Sequence, residues 1–392
     1  MKRISSISII YMCCMAFCFS ACQDIVTYNE HYDDDTVSNG SPVIHAVYDA
    51  KDRDKLLPII SGNFEQMIML DGDNLSCVKK IMFNDVELPV SEAYATAHCA
   101  YLPIPREIPM EVNNLLYYET DLGSTTYDFM VSVPLIQVEG LYNEFALPGS
   151  SVQLKGNFFD LYGFGEENTT STIKMNGIEL EVDSISDKYM SVVIPKTAPD
   201  NSIIEIKYTG AGGDVHTEQI PYRMTEAVIW DFSRPDDYGL WAGKELIVNE
   251  TGENDPEMLY GPYFRVTGNF GAWNWTNLVC GGFNCPADVA AHPEDYNFKF
   301  EVYSPTGHPF YDSAEYGYLI QLNNGNFPWN PSAHGSFNTY GKWCTVSINL
   351  QTLSANAFSE GWTGLSFILQ PNSDWNVDHS FANIRIEKKL NK

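Results

Sequence analysis

The sequence predicts an all-β protein: two tandem antiparallel sandwiches followed by a larger C-terminal two-sheet jelly roll. Three observations lead there. Apolar segments of roughly five to eight residues alternate with polar positions and are separated by Gly, Asn, Asp or Pro. No long segment combines helical periodicity with caps. A unit of about 90 residues recurs once in the middle of the chain, before an abrupt change of composition near Ala227.

The chain begins with Lys2 and Arg3, then an apolar run from Ile4 to Phe19 and small residues before Cys22. This is a secretory signal pattern, shorter than the ~20 apolar residues a spanning helix needs. It resembles a bacterial lipoprotein signal over 1–21. That resemblance implies a mature chain starting at a lipidated Cys22 and held on a membrane by its acyl chains. Residues 22–41 are polar, include Asp33-Asp34-Asp35, and read as a flexible tether. Asp35-Thr36-Val37 looks like a short bacterial O-glycosylation motif.

Removing the signal takes away two cations and no acid. It leaves 21 basic and 51 acidic side chains, a formal charge of −30. Such a surface repels polyanions and lacks the basic footprint of nucleic-acid binders. Neutral partners are favoured, and the charge also keeps an exposed protein soluble. Beyond the signal lie Cys22, Cys77, Cys99, Cys280, Cys285 and Cys344. Cys77 with Cys99, or Cys280 with Cys285, could pair, but spacing does not decide connectivity. No CxxC or His cluster signals zinc. Mostly buried thiols are expected, with no cofactor or metal.

The repeat is read from matching residues. Ile81, Asn84, Glu87 and Leu88 correspond to Ile173, Asn176, Glu179 and Leu180. Leu70-Asp71-Gly72-Asp73 corresponds to Leu154-Lys155-Gly156-Asn157. Asn84-Asp85 and Asn176-Gly177 are expected as hairpin turns. A turn that uses Gly and Asn for positive φ is expected at Asp71-Gly72-Asp73-Asn74 and at Lys155-Gly156-Asn157, which explains both copies better than a calcium loop. The units, 42–135 and 136–226, resemble the immunoglobulin-like IPT/TIG domains of bacterial surface lipoproteins. Neither contains tryptophan, and the resemblance implies a stiff spacer.

All eight tryptophans lie between Trp230 and Trp375. Strands are expected at 228–232, 245–249, 263–267, 297–303, 318–322, 343–350, 365–369 and 381–386, enough for a jelly roll over 227–392. Trp230 and Trp343 sit in strand patterns and read as core. Trp362 stands between the two readings. Trp241, Trp273, Trp275, Trp329 and Trp375 sit among Gly, Asn and Pro and are expected to be exposed. Two of these five are expected to serve as packing anchors, because tryptophan is usually largely buried.

Exposed indoles beside planar amides suit neutral sugars. An indole face attracts the C–H face of a pyranose at small entropic cost. Asn and Gln amides match the hydroxyl rim, and Asn269, Asn274, Asn277, Asn284, Gln321, Asn323, Asn324, Asn326, Asn330 and Asn376 lie near the rings. At ~1 kcal/mol per ring or hydrogen bond, three rings and three or four bonds give ~6–7 kcal/mol, a micromolar to sub-millimolar site.

Three segments carry a wider resemblance: Trp230-Asp231-Phe232, the run from Gly261 to Asn269, and Ser380 to Ile386. With the lipoprotein signal and the two repeats, they resemble surface glycan-binding proteins of Bacteroidota polysaccharide utilisation systems. The resemblance implies a C-terminal glycan-binding domain on a cell-surface, outer-membrane lipoprotein. It implies a non-catalytic protein that passes β-glucan or hemicellulose to a TonB-dependent porin, beside a second glycan-binding lipoprotein. The family's aromatic platform falls on Trp241 and Trp275, with Trp273, Asn274 and Trp329 as further candidate glycan contacts. Asn274 stands where relatives carry an aromatic. Two other readings remain open. One is a glycoside hydrolase using two of Asp231, Asp236, Asp237, Glu257, Asp288, Glu301 and Asp374. The other is an adhesin whose indoles meet a protein partner.

Overall fold

A computed structural model describes residues 38–167, 169–310, 317–329, 337–354 and 356–390. The signal, Cys22, the tether through Val37, and Asn330 lie outside the described residues. Those described form an all-β chain in two compact units. One runs through Leu135 and includes 209–214, and the other contains 136–208 and the chain from 215 onward. Among the described residues, no helix is long and apolar enough to cross a membrane.

The first unit pairs two four-stranded sheets. Val43–Asp49, Met67–Asp73, Cys99–Pro103 and Tyr94–Ala95 form one. Val86–Leu88, Val78–Phe83, Leu115–Thr120 and Gly123–Asp128 form the other. Val47, Ile68 and Leu70 from one sheet meet Ile81, Phe83, Leu116 and Tyr118 from the other in one buried core.

The same strand order recurs in the second repeat. Gln137–Leu141, Ser151–Asn157, Tyr189–Val193 and Glu181–Ile185 form its first sheet. Ile178–Glu179, Thr172–Met175, Ser202–Thr209 and Val215–Tyr222 form its second. Both expected hairpins are present. Asn84 turns at φ 58°, and Asn176-Gly177 turn at 48° and 82°, the positive-φ pair that suits strand twist.

Gly72 and Gly156 differ from expectation. Both lie inside strands, and neither has positive φ. Each sits where the neighbouring strand bulges. A Cβ would stand 2.0 Å from Val43 O at Gly72 and 1.9 Å from Gln137 O at Gly156. The repeated glycine therefore marks close approach of two backbones rather than a turn. The positive φ falls on the residue after each strand's end: on Asn74 in the first copy, as expected of that asparagine, and on Phe158 in the second.

The segments expected as separate domains at 136–226 and 227–392 lie in one compact unit. A buried charge cluster joins them. Glu144 accepts hydrogen bonds from Lys299 Nζ at 2.9 and 3.1 Å and from Arg385 Nη2 at 2.7 Å. Arg385 also holds Glu301 and Glu387, while Lys299 reaches Glu387 at 2.6 Å. Burial pushes the Glu144 carboxyl up, but the two cations outweigh it and hold the group below its usual range. Burial dominates at Glu301 and raises it. Phe145 packs beside this cluster with Leu259, Tyr263, Trp343 and Ala382.

The C-terminal sandwich has a larger and a smaller sheet. Ile247–Val248, Tyr263–Phe270, Trp375–Lys388, Tyr296–Tyr303 and Cys344–Asn349 follow one another in the larger, and Val228–Trp230 pairs with Trp375–Lys388. Thr276–Cys285, Gly361–Leu369, Tyr318–Leu322 and Gly325–Trp329 form the smaller. Phe264, Phe300 and Phe381 from the larger sheet meet Phe367 and Ile320 from the smaller. Two of these strands depart from the sequence reading, Thr276–Cys285 and Gly325–Trp329. The five described cysteines are free thiols, and Cys280, Cys285 and Cys344 are buried.

Candidate functional site

The site is built along Thr276–Cys285, an edge strand of the smaller sheet. Strand alternation sorts its neighbours. On Gly361–Leu369, the side chains of Leu365, Phe367 and Leu369 enter the core. Trp362, Gly364 and Ser366 therefore face outward. Asn284 pairs with Trp362, Gly282 with Gly364, and Gln321 with Ser366 and Asn326, so all share that outer face.

Trp241 reaches the strand's free edge on the segment 238–243. Gly282 N donates to Tyr238 O, Trp241 N to Cys280 O, and Cys280 N to Ala242 O. Two residues, Trp241 and Ala242, thus stand opposite one, a bulge-like pairing that re-aims side chains. Gly243 permits this approach. Its φ is 84°, and a Cβ would stand 1.8 Å from Leu278 O. Trp241 is left 68% exposed.

Trp273 and Trp275 lie in the connection from Phe270 to Thr276. Asn274 N donates to Gly271 O, closing a four-residue turn with Trp273 third at φ 63°. Gly or Asn normally takes that position. A bulky residue there carries strain of roughly 1–3 kcal/mol, which the surroundings must hold. Trp273 N donates to Pro371 O and Ala272 N to Asp374 Oδ1, pinning the turn to the loop after Leu369. Trp273 is 55% and Trp275 48% exposed. Trp275 Nε1 donates to Asn277 Oδ1 at 3.0 Å, fixing the indole beside the start of the edge strand. Asn274 is exposed between the two rings.

Trp329 does not join this group. It is 6% exposed and packs edge-on against Phe300 and Phe310. Its surroundings read as a loop because of Pro328, yet Gly325–Trp329 is an outer strand that tolerates proline. Alternation then turns Trp329 inward. Trp375 is also partly packed on the core, against Tyr318 and His379. The two expected packing anchors are therefore Trp329 and Trp375, and Trp230 and Trp343 are core as expected.

Trp362 is 57% exposed and is the indole that sequence reading left open. Counting by register, Trp275 lies at the Asn277 end of the edge strand, Trp241 at Cys280 and Trp362 at Asn284. Seven residue steps from Asn277 to Asn284 at ~3.3 Å each make a row on the order of 20 Å long.

Six of the seven acids that could serve a hydrolase are held by other groups, and Glu257 is exposed. Asp236 pairs with Lys244, Asp237 with Arg234, Asp288 with Lys388 and Glu301 with Arg385. Burial pushes the Asp231 carboxyl up, but hydrogen bonds from Tyr238 and Ser233 hold it below its usual range. Asp374 caps the Ala272 amide.

Known proteins bear directly on this domain. Residues 222–388 match the family model of the surface glycan-binding protein B xyloglucan-binding domain. The matched span contains every tryptophan discussed above. Among solved structures, surface glycan-binding protein PbSGBP-B from Prevotella bryantii is similar at 18% identity. The match covers 90% of this chain and all of that one, with a TM-score of 0.53. The fold thus extends beyond the matched domain. The SGBP-B from a complex xyloglucan utilization locus in Bacteroides uniformis aligns at 16% identity over 89% of this chain and 99% of that one, with a TM-score of 0.45. No curated protein matches the chain.

Proposed function

We propose that the protein is a non-catalytic, cell-surface binder of a neutral β-glucan or hemicellulose of the xyloglucan or mixed-linkage type. The row of exposed indoles along Thr276–Cys285, inside the matched xyloglucan-binding domain, carries this reading. Trp241 and Trp275 are the proposed stacking surfaces, with Trp273 and Asn274 at the same end. Flat apolar faces in line suit a linear chain of equatorially substituted rings, whose C–H faces repeat along its length. The engagement of six of the seven candidate acids in ion pairs, hydrogen bonds and caps supports binding without hydrolysis. The formal charge of −28 disfavours acidic polysaccharides.

In this reading Cys22 carries a lipid anchor in the outer membrane, and 42–135 and 136–226 are sandwich domains that space the glycan domain, 227–392, from it. The captured chain passes to a TonB-dependent porin, with a second glycan-binding lipoprotein nearby. Affinity electrophoresis of the mature chain tests the proposal. Retardation is expected in gels holding xyloglucan or mixed-linkage glucan and not in pectin. Unchanged mobility in every neutral glycan removes the proposal. Release of reducing sugar would replace it with the hydrolase.

A further inference from the structure

The geometry points to Trp362 as a further sugar-stacking subsite that extends the binding row to the far end of the edge strand. This inference rests on the glycan-binding reading and adds a position and a minimum ligand length to it.

The chain makes deliberate room for this indole. A Cβ at Gly282 would stand 2.8 Å from Trp362 Cε2 and Cζ2. A Cβ at Gly239, whose φ is 56°, would stand 3.0 Å from Cζ2. Glycine at both places lets the ring rest close to the strand on one side and the 238–243 segment on the other. A ring present only to seal the sheet would end buried, as Trp329 does. Trp362 instead keeps 57% of its surface in solvent.

Its surroundings have the chemistry of a sugar subsite. Gly364, exposed and paired with Gly282, leaves backbone without a side chain beside the ring. Asn284 is exposed across the strand pair from Trp362. The planar Asn284 amide at the rim of an exposed indole offers hydroxyls both a donor and an acceptor. The segment that carries Trp241 also supplies Gly239, so the two rings are set by one piece of backbone. Trp362 is thereby continuous with the proposed site rather than a separate patch.

The consequence is a dependence on chain length. A short oligosaccharide reaches Trp275 or Trp241, whereas a longer one also covers Trp362. Calorimetric titration with xyloglucan oligosaccharides of increasing backbone length tests this, using the full mature chain and its Trp362→Ala variant. Wild-type affinity should rise with length. Trp362→Ala should abolish the last increment, a loss of about tenfold for long ligands, and leave short ones unchanged. Equal affinities of the two proteins at every length would overturn the subsite. If the alanine variant does not fold, Trp362→Phe keeps a smaller ring on Gly282 and should lose part of the increment, while wild-type affinity there would overturn it. Absence of binding by the wild type at all lengths would instead remove the glycan reading, and the subsite with it.

Discussion

Arg385 Nη2 on the C-terminal sandwich donates a 2.7 Å hydrogen bond to Glu144 Oε2 on the second repeat, 241 residues away in sequence. Both side chains are buried, and Lys299 shares the same carboxylate. Removing one member leaves the others charged in a medium that solvates them poorly. Glu144→Ala should cost roughly 3–5 kcal/mol of unfolding free energy. Urea denaturation of the mature chain measures it. A loss under ~1 kcal/mol would show that the cluster does not hold these two sandwiches together.

His379 gives a pH dependence of its own. It is fully buried, stacked on Phe310 with ring centroids 4.0 Å apart. Nε2 donates to His308 O at 2.9 Å, and Nδ1 accepts from Tyr318 Oη at 2.7 Å. Burial pushes its pKa down to about 4, with backbone hydrogen bonds offsetting part of the effect. The unfolded chain therefore takes up this proton first as pH falls. The stability His379 contributes is complete above about 6.5, is lost progressively toward 4, and amounts to roughly 3 kcal/mol. Melting midpoints across that window should fall for wild type and fall less for His379→Gln. Parallel curves would contradict the assignment.

Trp329 and Trp241 should separate cleanly by measurement. Trp329→Ala empties an aromatic cluster and should cost roughly 3–5 kcal/mol in stability. Trp241→Ala removes a ring already in solvent and should shift the melting midpoint little while lowering glycan affinity. Thermal unfolding and calorimetry on the same samples check both. A large stability loss for Trp241→Ala would place that ring in the core.

Gly243 tests how the platform is held. At φ 84° and with Leu278 O so near, an alanine is both strained and obstructed. Gly243→Ala should displace the 238–243 segment, cost more than ~1 kcal/mol and weaken glycan binding together. Wild-type binding in a folded variant would show that Trp241 does not depend on this approach.

Most of the architecture was legible because it is written in local pattern. Asn84-Asp85, Asn176-Gly177 and the alternating segments around them each report their own backbone. What escaped is set by partners distant in sequence. Thr276–Cys285 contains Gly281-Gly282 and two asparagines, residue types depleted in strands. Yet a Cβ at Gly281 would stand 2.5 Å from Tyr238 O, and Gly282 makes room for Trp362. Those glycines are demanded by packing. The same ambiguity affected tryptophan. Gly, Asn and Pro around Trp241, Trp273 and Trp275 accompany exposure, whereas around Trp329 they accompany an outer strand facing inward. The Glu144, Lys299 and Arg385 cluster has no local signature, since its members come from separate strands and repeats.

The most direct test of the account is titration of xyloglucan into wild type and the Trp241→Ala/Trp275→Ala double variant, with melting midpoints measured alongside. The account predicts micromolar to sub-millimolar binding by wild type and none detectable by the variant, at nearly equal midpoints. Undiminished binding by a folded double variant would contradict it.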